Sequence, residues 1–167
     1  DSMVNHYTAN KRLRSDDAYT AGGEAHKRPD YATITYCNIL KKLYPDVPIV
    51  IGGIEASLRR VTHYDYWSDK LMPSILVDSR ADFLVYGLGE KPLKALLAEL
   101  KKGKKLNEIT GIPQTSFLSA VIPESDVKTI ELISHEECLK DKKRYASNFR
   151  YVEEESNRIH GARLIQK

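Results

Sequence analysis

Val47-Pro48-Ile49-Val50-Ile51-Gly52-Gly53-Ile54-Glu55-Ala56-Ser57-Leu58-Arg59-Arg60 is the stretch on which the fold turns. A short β-branched run with no alternation of polar residues suits a strand covered on both faces, the usual setting of a strand in a parallel sheet. Two glycines stop the run. The residues after them suit a helix, and Glu55 falls in its first turn, where a negative side chain meets the positive end of the helix dipole. Strand, glycines and helix together make half of a βαβ unit.

Working outward, the same grammar repeats. Residues 81–86, Ala-Asp-Phe-Leu-Val-Tyr, read as a second buried strand that ends at Gly87-Leu88-Gly89-Glu90. The following helix carries Leu93, Leu96, Leu97 and Leu100 at i, i+3, i+4 and i+7, and Lys101-Lys102-Gly103 closes it. Upstream, Asp30 can cap a helix in which Thr33, Cys37, Leu40 and Tyr44 recur at helical spacing before Pro45 ends it. Strand-then-helix units in succession predict an α/β fold: a Rossmann-like, flavodoxin- or cobalamin-binding-like sheet, mostly parallel and flanked by helices. Residues 115–122 and 127–133 flank the turn Pro123-Glu124-Ser125-Asp126 and read as a strand pair at the sheet edge. Ser134 and Glu137 form a capping box, leading one helix with Cys138, Tyr145, Phe149 and Val152 on a face. Residues 162–166 suit a short last strand. Residues 1–29 show no helical or strand period, so the expected organisation is an irregular segment over 1–29 and an α/β domain over 30–167.

Composition bounds the possibilities. The 167 residues are 41% hydrophobic, enough for a globular domain with a core. Net charge is only +3 and the charges alternate in sign along the chain, which gives no strong nucleic-acid signal. No apolar run approaches the roughly 20 residues that span a bilayer, and Asp1-Ser2-Met3 opens no signal peptide, so a soluble cytoplasmic domain is expected. The two cysteines, Cys37 and Cys138, lie far apart and make neither a disulfide framework nor a metal site; each is expected to be a buried, inert thiol. The five histidines are scattered without ligand spacing, so no metal site is expected.

Two regions carry candidate sites. Glycines at strand ends let a ligand approach the backbone, and open α/β sheets bind ligands at the carboxyl ends of their strands. Gly52, Gly53 and Glu55 of the first loop and Gly87, Gly89 and Glu90 of the second are therefore candidate cofactor-binding positions; the plainer reading is that both glycine pairs only make tight turns. Arg59 and Arg60 with His63 could clamp a phosphate or carboxylate, or simply end a solvated helix. Tyr64, Tyr66, Trp67 and Asp69 lie in a long irregular stretch, and form either a substrate or partner surface or a set of rings packing the loop down. No nucleophile elbow, phosphate loop or catalytic carboxylate pair stands out, so no catalytic residue is assigned.

Several long strings bear a family likeness. Asp1-Ser2-Met3-Val4-Asn5-His6-Tyr7-Thr8-Ala9-Asn10, Asp16-Asp17-Ala18-Tyr19-Thr20, residues 52–60, His63-Tyr64-Asp65-Tyr66-Trp67-Ser68-Asp69 and Glu153-Glu154-Glu155-Ser156-Asn157-Arg158-Ile159-His160-Gly161-Ala162 resemble segments of the YgiQ family of radical S-adenosylmethionine proteins. The resemblance implies a parent protein with an N-terminal domain similar to cobalamin-binding domains, followed by a radical barrel. In the parent, three cysteines of a C-x-x-x-C-x-x-C motif hold a [4Fe-4S] cluster whose fourth iron binds S-adenosylmethionine. That motif is absent here, so this chain is expected to end before the barrel, to hold no cofactor itself, and to have the barrel of the same polypeptide as its partner. The family's opening segment is expected to precede Asp1, which would leave a sheet edge exposed. The Asp-x-His-x-x-Gly motif of classical cobalamin carriers is missing, which counts against cobalamin. Three roles follow: an accessory domain of a radical enzyme, an interaction module without catalysis, or a domain holding cobalamin or a nucleotide at the glycine loops.

Overall fold

The computed structural model describes residues 2–158 and 160–167. Asp1 and Ile159, which belong to strings quoted above, lie outside the described residues. The chain divides into two compact units: the described residues of Asp1–Arg60 with Ile75–Leu118, and those of Val61–Ser74 with Ser119–Lys167.

The first unit begins with helix α1 (Ser2–His6) and a 3-10 turn (Ala21–Gly23), then helix α2 (Ala32–Leu43), strand β1 (Val50–Ile51) and helix α3 (Gly53–Leu58). It resumes with helix α4 after the excursion described below. The 1–29 region lacks periodicity because a polar hub organises it in place of an apolar stripe. Asp17 is buried and takes two bonds from the Arg28 guanidinium, at 2.8 and 2.9 Å, and one from the Tyr19 N–H. Burial by itself would raise its carboxyl; the Tyr19 N–H, the Arg28 bonds and the charges of Arg28 and His6 outweigh that and hold it below the ordinary value. Asp30 does not cap α2. Its carboxylate reaches back to His6 Nδ1 at 2.8 Å and accepts the Tyr7 hydroxyl at 2.9 Å, and Tyr31 stands at the N-cap, where its side chain does not cap the helix.

In the second unit, strands β2 (His63–Asp65) and β3 (Lys70–Met72) form an antiparallel hairpin. Back in the first unit, helix α4 (Ile75–Ser79) leads to strand β4 (Phe83–Val85), helix α5 (Glu90–Lys101) and strand β5 (Thr115–Ser116). The sheet order is β1-β4-β5, with β1 and β4 parallel and β5 antiparallel to β4. All three residues of β4 are buried. Leu84 joins Cys37, Ile51, Ala56, Ile75, Leu76 and Ala81 on one side, while Phe83 and Val85 join Leu96 and Ile109 on the other. Because strand side chains alternate, those two clusters mean that α2, α3 and α4 cover one face of β4 and α5 the other. The chain is thus α/β, as expected, with small sheets of mixed direction.

The second unit continues with strand β6 (Thr129–Leu132), helices α6 (His135–Lys140) and α7 (Lys142–Ser156) and strand β7 (Arg163–Gln166). The parallel β6–β7 pair with helices between them is a βαβ unit. Two expectations are corrected here. Residues 115–122 and 127–133 do not pair with each other: β5 joins β4, and β6 joins β7. The helix expected to begin at Ser134 is two helices, because Asp141 adopts an extended conformation and its carboxylate caps the Lys143 N–H, starting a new helix. The last strand forms where expected. Among the described residues no helix is long and apolar enough to cross a membrane.

Candidate functional site

The two glycine loops meet at the carboxyl ends of β1 and β4. Gly52 is extended and follows β1; a Cβ there would lie 3.0 Å from the Val85 carbonyl, so any side chain would force the neighbouring backbone to shift. Gly53 takes φ +80°, a left-handed conformation that side-chain-bearing residues adopt at a cost. Gly87, at φ +69°, turns the chain out of β4 beside Gln114. Ser57 ties the loops together: its hydroxyl donates to the Gly53 carbonyl at 2.7 Å and lies 3.4 Å from the Gly87 N–H, on its acceptor side. Gly89 precedes α5 as its N-cap, and Glu90 is exposed in the first turn of that helix. Ser57 and Gln114 were not among the sequence candidates. The signal for Ser57 was its place four residues after Gly53, one helical turn on, where a hydroxyl returns to the backbone.

The charged residues after α3 divide in two. Glu55 is buried: its carboxylate pairs with Arg59 at 2.9 Å and accepts the Thr33 hydroxyl at 2.8 Å. Arg59 also lies over the Tyr31 ring, 5.9 Å from its centroid. Both are turned toward the start of α2. Arg60 stays with the loops, donating to the Ser57 carbonyl and stacking over Tyr86, 4.7 Å from its centroid. The open side of this edge is apolar. Ile54 and Leu58, four residues apart on α3, are 71% and 70% exposed, and Leu88 between the second pair of glycines is 79% exposed.

His63, Tyr64, Tyr66, Trp67 and Asp69 belong to the other unit, on the β2–β3 hairpin and its turn. The sequence alone reads as irregular here, whereas Asp65 makes a turn by accepting the Ser68 N–H and hydroxyl, and Asp69 takes φ +55° where a glycine is usual. The Tyr64 hydroxyl donates to Asp69 at 2.6 Å, and the Tyr145 hydroxyl accepts the Tyr64 N–H. That bond to Asp69, then burial and the surrounding negative charge, push the Tyr64 phenol above its ordinary value. Tyr66 and Trp67 meet edge to face at 5.7 Å, and the His63 ring lies 3.3 Å from the Val61 carbonyl.

Both cysteines are free and buried. Burial, with Glu55 adding to it, raises the Cys37 thiol; burial also raises Cys138, against the opposing charge of Arg144. The residues present do not fit the three-thiolate cluster that the family resemblance implies for the parent, since the two cysteines belong to different units. Among the described residues no group of three His, Cys, Asp or Glu side chains is placed to hold a metal ion.

A family model described as radical SAM N-terminal matches residues 1–167. A UPF0313 protein of Bacteroides thetaiotaomicron is 54% identical over 181 residues, which cover 100% of this chain and 29% of that protein. UPF0313 proteins of Porphyromonas gingivalis and Methanocella arvoryzae are 52% and 46% identical, with 99% and 100% of this chain covered and 26% and 28% of theirs. The chain therefore spans between a quarter and a third of the length of these relatives. No solved structure matches.

Proposed function

Because the chain belongs to the radical SAM N-terminal family, we propose that it is an accessory domain of a longer radical S-adenosylmethionine enzyme, whose cluster-binding barrel lies elsewhere in the same polypeptide. The observation that carries this is the whole-chain family match, coupled with relatives more than three times as long. The bound cluster and S-adenosylmethionine would supply the 5′-deoxyadenosyl radical in the barrel. This domain contributes an edge: the ends of β1 and β4, shaped by Gly52, Gly53, Gly87 and Gly89 and rimmed by Ile54, Leu58 and Leu88. Apolar residues so exposed around a backbone-lined edge suit a surface that closes over a substrate or against the barrel mouth. The parallel β1–β4 pair covered by helices on both faces supports a Rossmann-like reading of the sheet. Two free thiols suit the reducing cytoplasm.

The test uses the full polypeptide, reconstituted with iron and sulfide and reduced in the presence of S-adenosylmethionine. Release of 5′-deoxyadenosine is expected, and Leu88→Glu should lower turnover without loss of the cluster. An intact cluster that never cleaves S-adenosylmethionine rules out the enzyme reading.

A second reading, an interaction module, is favoured by Tyr64 and Tyr66, each half exposed on the β2–β3 hairpin. Aromatic side chains with one wet face are typical anchors of protein interfaces. If Tyr66→Ala leaves the fold intact and abolishes capture of a partner protein while S-adenosylmethionine cleavage is unchanged, this second role stands beside the first.

A further inference from the structure

Arg60 is the uncompensated cation of the glycine-loop edge. The carboxylate of α3, Glu55, is committed to Arg59 and Thr33, and among the described residues no Asp or Glu pairs with Arg60. The guanidinium is nevertheless held from two sides. Nη1 donates to the Ser57 carbonyl at 2.6 Å and the group lies over the Tyr86 ring, which leaves its other N–H groups without a protein acceptor. Gln114 brings a second unmatched donor to the same turn. Its carbonyl accepts the Tyr86 N–H at 3.0 Å, and its carboxamide Nε2 sits against Gly87, 2.9 Å from where a Cβ of that residue would stand. Among the described residues nothing bonds that carboxamide, although Gln114 is kept at φ +60°. Left-handed backbone at a residue with a side chain collects where ligands are held. The Ser57 hydroxyl has its one proton on the Gly53 carbonyl, so Arg60 and Gln114 are the side-chain donors left at the Gly87 turn.

We propose that this edge binds a small carboxylic acid with an apolar body. The carboxylate is met by the Arg60 guanidinium and the Gln114 carboxamide at the Gly87 turn, and the body lies over the exposed Ile54, Leu58 and Leu88. The two halves of the site ask for different chemistry: an exposed apolar rim calls for a hydrophobic occupant, and a fixed, unpaired guanidinium calls for a negative charge. A carboxylate supplies a single charge in the planar shape that matches the guanidinium fork. A phosphate monoester carries roughly two charges at neutral pH, and one of them would go unmatched here. Gly87 fits this arrangement, since any side chain on it would strike the Gln114 carboxamide. That the acid is the substrate of the parent enzyme rests on the accessory-domain reading above; that it binds at this edge does not.

The experiment titrates the full polypeptide, methyl-labelled at Ile and Leu, with octanoate, octanol and octyl phosphate, and follows the Ile54, Leu58 and Leu88 methyls by NMR. Octanoate should shift all three saturably and bind about tenfold tighter than octanol, the least that a charge-assisted hydrogen bond implies. It should also bind tighter than octyl phosphate. Arg60→Gln should remove the advantage over octanol while octanol binds as before. Should that variant fail to fold, Gln114→Glu, which changes an exposed side chain at constant length, should weaken octanoate and spare octanol. Equal affinity for octanoate and octanol, octyl phosphate binding at least as tightly as octanoate, or an octanoate affinity unmoved by both variants would each overturn the proposal. So would methyls that respond to none of the three because another part of the polypeptide covers them. A polypeptide that binds octanoate but never cleaves S-adenosylmethionine keeps this site and loses the radical reading; one that cleaves it without binding octanoate does the reverse.

Discussion

Glu55 and Arg59 form an ion pair across one turn of α3 in which side-chain exposure is only 9% and 11%. A pair this deep is costly to break from one side, because the remaining charge loses its partner but cannot regain water. Arg59→Met should therefore destabilise the domain by about 3 kcal/mol, while Glu55→Gln, which can keep the Thr33 hydroxyl, should cost less. The double variant Glu55→Leu with Arg59→Met should recover part of the loss in urea unfolding. Strict additivity would show that the two residues act separately.

The glycine loops make a graded set. Gly52→Ala drives a methyl to 3.0 Å from the Val85 carbonyl, where the neighbour is backbone and cannot swing aside, so about 1–3 kcal/mol should be lost. Gly53→Ala meets no atom within 4 Å, and its cost of about 1–2 kcal/mol comes from φ +80° alone. Gly89→Ala makes only an ordinary contact, 3.4 Å from a Val85 methyl, and should be tolerated best. Thermal unfolding of the three variants checks the order; Gly89→Ala as the worst would contradict it.

Asn148 on α7 closes the β6–α6 corner. Its carbonyl accepts the Ile133 N–H at 2.7 Å and its amide donates to the Ile133 C=O at 2.8 Å. Asn148→Leu strips both and should cost about 1–3 kcal/mol, since a peptide N–H is left without its partner. Hydrogen exchange at the Ile133 amide is the direct readout, and no acceleration there would show that the bond contributes nothing.

Acid sensitivity should concentrate at Asp17. Its folded-state carboxyl lies below the ordinary value, so the stabilisation it provides is complete above the unfolded pKa of about 4 and is lost as pH falls through the lower folded value. The Tyr19 amide, which donates to Asp17, should report this in an NMR titration with a midpoint below that of an ordinary aspartate, and Arg28→Met should raise the midpoint. Glu99, held down to about 2 by Lys102 and Lys104, should lag behind the other glutamates in the same experiment. A Tyr19 midpoint unmoved by Arg28→Met would mean that the guanidinium does not set it.

The legible parts of the fold were those with strong local grammar. The runs around Val50 and Phe83 declared strands, though only the second is buried throughout; β1 is a sheet edge with Val50 exposed, where cover on both faces was expected. The 30–44 and 90–101 periods declared helices, and the glycines marked where the strands turn. What stayed hidden was pairing at a distance. Residues 117–122 look like a strand, but Leu118, Val121 and Ile122 remain exposed outside any ladder, because nothing local tells such a run which neighbour it will find. Asp30 carries the local mark of a cap and is claimed instead by His6 and Tyr7, more than twenty residues away. Arg59 and Arg60 are alike in sequence and are separated by their partners: one is locked to Glu55, the other lies at the loop edge over Tyr86.

Each unit holds one free, buried cysteine, Cys37 in the first and Cys138 in the second. A thiol reagent cannot react until the structure around its target opens, so the two rates time two separate breathing events within one molecule. The protein thus carries a built-in pair of stopwatches, and peptide mapping of the labelled sites would read local opening of either unit with no engineered probe.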